Sequence, residues 1–244
     1  MFRIVTSNID LLQNTFKAVS SIVDTVKLLV DEEGIRFSSV DNENVRFIHF
    51  ELNYTFFDEY ESDGLTEVGV DVGEVSDILR RARQGDTLTL TIKDDSRLVF
   101  LFEGESKSKF VIALTDEAYT SSPPVGMVYP VCLEVEANVL RDALKDCSLF
   151  AESFQLTVDP NHIIIHCEGG FGGVTNSYLH GETVEGMVSA KYSIKYLADI
   201  LQSSKFNNVC ILEMGDDMPL RISFMLPSGD GEFSSVLAPR IEGY

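Results

Sequence analysis

The strongest constraint on this chain is that it repeats itself. At a shift of 128 positions, Leu12–Val30 lies over Leu140–Val158, so that Leu12 meets Leu140, Phe16 meets Leu144 and Lys17 meets Lys145. The match runs on to Val30-Asp31 over Val158-Asp159. At a shift of 122, Asp77-Ile78-Leu79 falls on Asp199-Ile200-Leu201, and Leu98 on Leu220. Each identity is weak alone, but the order of elements is kept across most of each half. The 244 residues therefore read as two copies of one domain.

Both copies follow one plan. In the first, Ile9, Leu12, Phe16, Val19 and Val23 recur at helical spacing, with Ser7 or Asn8 placed as the N-cap. TVKLLVDEEGIRFSSV predicts two strands around a Glu-Gly turn, and RFIHFEL continues the strand pattern. A second helix, DVGEVSDILRRA, puts Val75, Ile78, Leu79 and Ala82 on one face. DTLTLTI and RLVFLFE alternate as a hairpin, and SKFVIAL closes the copy. In the second copy NVLRDALKDCSLFA and SIKYLADILQSS are the helices. FQLTVDPNHIIIHCEG is its hairpin, with VCILEM, LRISFML and FSSVLAP as further strands. TDEAYTSSPPVGMVYP carries prolines and no period, and reads as a linker. The expected division is a first domain over residues 1–117, a linker over 118–130 and a second domain over 131–244. The expected class is α+β, with sheet on one side and helices on the other.

Charge narrows the function. The formal net charge is −20, whereas a protein that holds nucleic acid mainly by neutralising phosphates is basic. Either this chain does not touch DNA, or its hold on DNA does not come from its overall field. A ring threaded by the duplex satisfies the second condition, and an acidic exterior suppresses sticking to its outside. No apolar run approaches the roughly 20 residues that span a bilayer, and MFRIVTSNID turns polar too early for a secretory signal. A soluble intracellular protein is expected. Cys132, Cys147, Cys167 and Cys210 are widely spaced, each within an apolar segment, which predicts buried thiols rather than disulfides or a zinc site.

Several chemical signals fail on their own terms. EGGFGG (168–173) is followed by no Lys-Ser/Thr and no helical pattern, so it is a strand connection rather than a phosphate loop. His166 and Cys167 are adjacent in a strand and point to opposite faces, which stops them converging on a metal with His162. Carboxylates are too abundant to mark acid–base catalysis, and no Ser/His/Asp constellation stands out.

The opening MFRIV, SVDNENV (39–45), DMPLRI (217–222) and LAPRIE (237–242) together resemble the matching stretches of sliding clamps of the proliferating cell nuclear antigen family. The likeness covers essentially the whole chain and is archaeal in style, with short length and no localisation signal. It implies a cytoplasmic, nucleoid-associated protein in an archaeon, or a nuclear one in a eukaryote. It also implies the processivity-clamp fold, with antiparallel sheets outside and helices lining the hole of a head-to-tail homotrimer. Double-stranded DNA would be encircled without sequence preference. DNA polymerase, clamp loader, flap endonuclease and DNA ligase would dock through short PIP-type peptides. No catalytic residue, metal or cofactor is implied, and no membrane.

The resemblance assigns three surfaces. Lys17, Arg80, Arg81, Arg83, Arg141, Lys145, Lys195 and Lys205 are expected to face DNA. Any one of them alone reads as part of a solvated helix face, favoured near a helix C-terminus. Recurrence in both copies, against so acidic a background, points instead to loose phosphate contact. Arg81 has a second reading at a subunit interface. The peptide groove is expected from Val40, Asn44, Val45, Phe47, Val125, Met127, Pro219, Leu237, Ala238, Pro239 and Ile241. The competing reading of these residues is that they pin the linker to the sheet. Subunit contacts are expected from edge strands carrying Lys109, Phe110, Ile112, Thr175, Ser177 and Leu179. Two alternatives stand beside the homotrimer. One is a subunit of a heterotrimeric or checkpoint-type clamp. The other is a small-molecule enzyme with a site where the halves meet, for which the sequence offers no motif.

Overall fold

A computed structural model describes residues 1–93, 97–122, 124, 126–202, 207–226 and 229–241. Contacts divide the chain into two units: Met1–Asn42 with Ile48–Pro123 and Met225–Phe233, and Glu43–Phe47 with Pro124–Phe224 and Ser234–Tyr244.

The first half runs β1 (Phe2–Thr6), α1 (Ile9–Val19), β2 (Thr25–Val30), β3 (Gly34–Val40), β4 (Arg46–Asn53), a short 3-10 turn (Tyr54–Phe56) and β5 (Glu59–Ser62). It continues through β6 (Thr66–Asp71), α2 (Val72–Leu79), β7 (Thr87–Lys93), β8 (Arg97–Glu103) and β9 (Lys107–Ala113). The second half opens with β10 (Val131–Glu136), α3 (Ala137–Cys147), β11 (Ser153–Val158), β12 (His162–Gly169) and β13 (Gly172–Leu179). It closes with β14 (Val188–Ser193), α4 (Ile194–Ile200), β15 (Val209–Met214), β16 (Leu220–Met225) and β17 (Gly231–Leu237).

Strand order makes the repeat explicit. In the first half β1-β7-β8-β9 and β6-β2-β3-β4 are hydrogen-bonded neighbours; in the second, β10-β15-β16-β17 and β14-β11-β12-β13 are. Strand for strand the two lists coincide once β5, which pairs with β1, is set aside. Two similar α+β domains of antiparallel sheet with helices result, as the sequence predicts.

Helix stripes seat these layers. Leu12, Phe16 and Val19 of α1, with Val75 and Leu79 of α2, are buried among Phe37, Phe50 and Phe100. The Phe37 ring lies 5.3 Å from Phe50 and 6.4 Å from Phe16. Gln13 Nε2 donates to the Leu79 carbonyl at 2.7 Å, tying the two helices together. Burying each such aromatic contributes about 1.5–3 kcal/mol. In the second unit Leu140, Leu144 and Cys147 of α3 and Leu197 of α4 are likewise buried, as are Phe154, Ile163 and Ile165 of the strands.

Four local expectations are corrected. Val23 is buried but lies past the end of α1, because Ile22 and Val23 turn back to donate to the Val19 carbonyl. Ala82 likewise lies past α2, whose last turn closes at Arg80. Asn8 occupies the N-cap of α1 without a side-chain bond, whereas Asp71 accepts from Glu74 N–H at 2.8 Å. Cys147, Cys167 and Cys210 are buried, the first and last pushed up to about 12 by desolvation, but Cys132 lies on the outward face of β10 and is exposed.

The cap contrast is measurable. Asp71→Ala is expected to cost about 1 kcal/mol in denaturant unfolding, because it strands an N–H of the first helical turn. Asn8→Ala, which removes no such bond, is expected to leave the midpoint within about 0.5 kcal/mol of the parent.

Candidate functional site

The cationic residues come to rest on or just after the helices. Lys17 is exposed in the last turn of α1, and Arg80, Arg81 and Arg83 are exposed in the segment that follows α2. In the second unit Arg141 is half-buried and Lys145 exposed on α3, and Lys195 is exposed on α4. Lys205 lies outside the described residues. Local carboxylates hold some of these cations in place. Arg80 pairs with Asp77, Lys145 meets Asp142 at 2.7 Å, and Arg83 donates to the Ser106 hydroxyl at 3.0 Å. Exposed pairs of this kind are worth a few tenths of a kcal/mol and exchange readily for another anion.

The residues expected in the groove are only partly gathered. Val45, Ala238 and Pro239 line one cleft of about 750 Å³ in the second unit, together with Glu43, Ser148, Ala151, Lys195, Tyr196 and Ala198. Phe47 and Leu237 are buried beside it, at 7% and 1% exposure, so they support the wall rather than form it. Asn44 is exposed in the left-handed conformation (φ 56°), Pro219 and Met127 are half-buried, and Ile241 is 86% exposed. Val40 is half-buried at the end of β3 in the first unit, and Val125 lies outside the described residues. The start of the expected linker is fastened to the first unit. Thr115 N–H donates to the Gly69 carbonyl at 2.9 Å, Ala118 is fully buried, and Ser121 N–H reaches the Ser38 carbonyl at 3.1 Å.

A network that the sequence did not reveal sets the cleft's shape. Arg46 is buried on β4, its guanidinium 3.1 Å from Asp199 on α4 and 4.4 Å over the Tyr196 ring. Tyr196 in turn donates its hydroxyl to Glu43. The carbonyl of Val45 accepts from Ala238 N–H at 2.8 Å, and that of Lys191 from Arg240 N–H at 2.7 Å. Residues 43–47, α4 and the tail at 238–240 thus share one set of polar bonds around the cleft. Burial raises the Asp199 carboxyl above its ordinary 3.8, and Arg46 and then Lys195 oppose that rise without cancelling it. With its folded-state pKa raised, this group contributes stability that is full below 3.8 and declines as pH rises through the raised value.

Strand edges form the third surface. β9 and β13 each end their sheet order. Their counterparts in the other half do not, because β17 neighbours β4. Ser235 Oγ donates to the Phe47 carbonyl at 2.9 Å in the second unit, and Asn53 N–H to the Asp230 carbonyl at 2.7 Å in the first. Among the described strands that end a sheet, β5, β6, β9, β10 and β14 each carry at least one Glu, Asp or Lys. β13, GGVTNSYL, carries none, and its Leu179 is 80% exposed. Lys109, Phe110 and Ile112 fall on β9, and Thr175, Ser177 and Leu179 on β13. Among the described residues, no group of three or more His, Cys, Asp and Glu side chains is set to hold a metal ion.

An archaeal structure, the crystal structure of PCNA from Thermococcus kodakaraensis, superposes with a TM-score of 0.90 at 23% identity, covering 98% of this chain and 100% of that one. The fold is therefore the processivity-clamp fold. Residues 1–116 match the family described as proliferating cell nuclear antigen, N-terminal domain. Proteins described as DNA polymerase sliding clamps are 33% identical in Methanobrevibacter smithii and 35% identical in Methanothermobacter thermautotrophicus, each over 99% of both chains. This chain belongs to the proliferating cell nuclear antigen family of DNA polymerase sliding clamps.

The buried ion pair can be tested directly. Asp199→Ala leaves Arg46 charged and unpartnered by its carboxylate, and is expected to destabilise the fold by about 3 kcal/mol in urea unfolding. Replacing both ends, Arg46→Met with Asp199→Leu, is expected to recover most of that loss.

Proposed function

We propose that three copies of this chain close head to tail into a ring that encircles duplex DNA and tethers DNA polymerase, making synthesis processive. The carrying observation is the pair of open edges. Natural sheets guard an edge with charge or cover it, and β13 has no charged residue in a chain that is 24% charged. The neighbouring of β17 and β4 supplies the pattern: their counterparts β9 and β13 pair in the same way, but across copies. The strand that carries Lys109, Phe110 and Ile112 in one copy pairs with the strand that carries Thr175, Ser177 and Leu179 in the next. Such a contact is heterologous and makes a ring where its rotation closes.

In this reading the protein is a scaffold rather than an enzyme and needs no cofactor. Residues 1–117 and 131–244 are its two domains, and 118–130 connects them. Lys17, Arg80, Arg81, Arg83, Arg141, Lys145, Lys195 and Lys205 turn toward the duplex and meet its phosphates without base readout. Topology then holds the DNA, which reconciles binding with the net charge of −20. Val45, Ala238 and Pro239 line the peptide site and Phe47 and Leu237 support its wall, as part of the groove expected from Val40, Asn44, Val125, Met127, Pro219 and Ile241. Polymerase, clamp loader, flap endonuclease and DNA ligase reach it through short PIP-type peptides. Apolar walls with a few convergent polar groups suit such a ligand.

Light scattering behind a sizing column is the test. A mass three times the 27.1 kDa chain is the expected result. A stable monomer would replace the homotrimer with a subunit of a heterotrimeric or checkpoint-type clamp. Like charges are gathered on closure, and screening reaches about 30 Å at 0.01 M salt. Assembly is therefore expected to be weaker at low than at moderate ionic strength. Dissociation driven by added salt would contradict this.

A further inference from the structure

One wall of the cleft is an aromatic ring whose place is fixed by charge rather than by full burial. Tyr196 lies in the first turn of α4, half-buried, and its N–H donates to the capping hydroxyl of Ser193. Arg46, only 7% exposed, sets its guanidinium 4.4 Å over the ring and 3.1 Å from Asp199, one turn further along the helix. Lys195 Nζ lies 5.9 Å from the same ring centre, and the Tyr196 hydroxyl donates to Glu43. A cation within about 6 Å of an aromatic face is drawn to its electron density. Cation, ion pair and hydroxyl bond together select one placement for a side chain that would otherwise sample several rotamers in water.

The corresponding helix of the first copy carries no such ring. Ser193 caps α4 where Asp71 caps α2, so the two helices align cap to cap at the shift of 122. Tyr196 then falls on exposed Glu74, and Asp199 on Asp77, which is exposed and pairs with Arg80. A feature required by the fold itself would recur in both copies. This one stands where Tyr196, Glu43, Val45 and Ala238 line a cleft. We infer that Arg46 is a positioning residue of the peptide site, holding the Tyr196 ring as a preformed wall for an extended apolar peptide. The inference rests on the peptide-docking reading of that cleft and adds to it what sets its affinity. Ordering a free side chain on binding costs part of the interaction, and a ring already ordered avoids that cost. Asp199 keeps Arg46 aimed, because a guanidinium whose edge is engaged by a carboxylate still presents its flat face to the ring. Lysine, a point charge without that face, holds the ring less well. Glu43 carries the ring's position into the 43–45 backbone, where the Val45 carbonyl accepts from Ala238 N–H at 2.8 Å.

The test is the affinity of the full chain for a fluorescent synthetic PIP-type peptide, read by anisotropy and set beside urea unfolding of the same proteins. Arg46→Met with Asp199→Leu separates the two roles of the pair, because it restores stability without restoring the hold on the ring. The expected result is a folded variant with an unfolding midpoint near the parent's and a peptide affinity about tenfold lower. Arg46→Lys, which keeps a cation for Asp199, is expected to fold and to bind about threefold more weakly than the parent, and it carries the test should the double variant not fold. Tyr196→Ala is expected to lose the same tenfold, and adding the double replacement to it to cost nothing more. Folded Arg46 variants that bind as the parent does would overturn the positioning role and leave the peptide site standing. An Arg46 effect that persists in the Tyr196→Ala background would overturn it as well. A parent that does not bind the peptide would remove both the positioning role and the docking reading beneath it.

Discussion

Every antiparallel strand presents N–H and C=O groups along both of its sides, and this architecture turns on which of those rows have a partner. Within each half the order of hydrogen-bonded neighbours repeats strand for strand. The halves differ at β4 and β17, which occupy one another's outer sides, while β13 and β9 are left open. A sheet edge is a template for another chain, and a protein that leaves one uncharged has either an aggregation hazard or a designated partner. The open sides here belong to strands whose counterparts already pair, so the repeated fold itself specifies the complementary edge. In the proposed ring, duplication of one domain is itself the source of the self-complementarity.

How far the fold was legible follows from burial pattern. α1 and α3 announce themselves because Leu12 and Phe16, or Leu140 and Leu144, fall on one buried stripe. β7 is equally plain from the alternation in TLTLTIK, and β8 from the run of five apolar residues in RLVFLFE, of which Leu98, Val99, Phe100 and Phe102 are buried. β5 has no counterpart among the expected strands because EYES offers no apolar alternation, being an edge with neither face fully buried. Cys132 is the instructive error. Its neighbours are apolar, but the period of two in VCLEVE turns Val131, Leu133 and Val135 inward and Cys132 out with Glu134 and Glu136. Local hydrophobicity gave the wrong side where periodicity would have given the right one.

The site was less legible than the fold, and the Arg46–Asp199 pair shows why. By the internal repeat Asp199 corresponds to Asp77, which is exposed and pairs with Arg80 one helical turn away. Nothing local distinguishes the two aspartates. Asp199 is held in the interior because Arg46, 153 positions earlier, reaches it from β4, and a contact that distant leaves no mark on a single sequence. The same holds for the cleft, whose walls come from residues 43–47, α4 and the tail at 238–240. Motif resemblance named Val45, Ala238 and Pro239, but Tyr196 and Glu43 emerge only when the chain is folded.

The charge distribution closes the argument about DNA. An acidic chain whose cations stand on and after its helices does not attract the duplex from a distance, because its long-range field is repulsive. In the proposed ring those cations supply contact at short range, and three of them, Arg80, Lys145 and Arg83, already rest against a carboxylate or hydroxyl. Exchanging such a partner for a phosphate costs little and gains little. For a protein that must stay on DNA yet move along it, that near-degeneracy is an advantage: weak, interchangeable contacts do not hold it to one position. In the proposed ring, retention comes from closure of the chain's own edges, which ties the function to strand pairing.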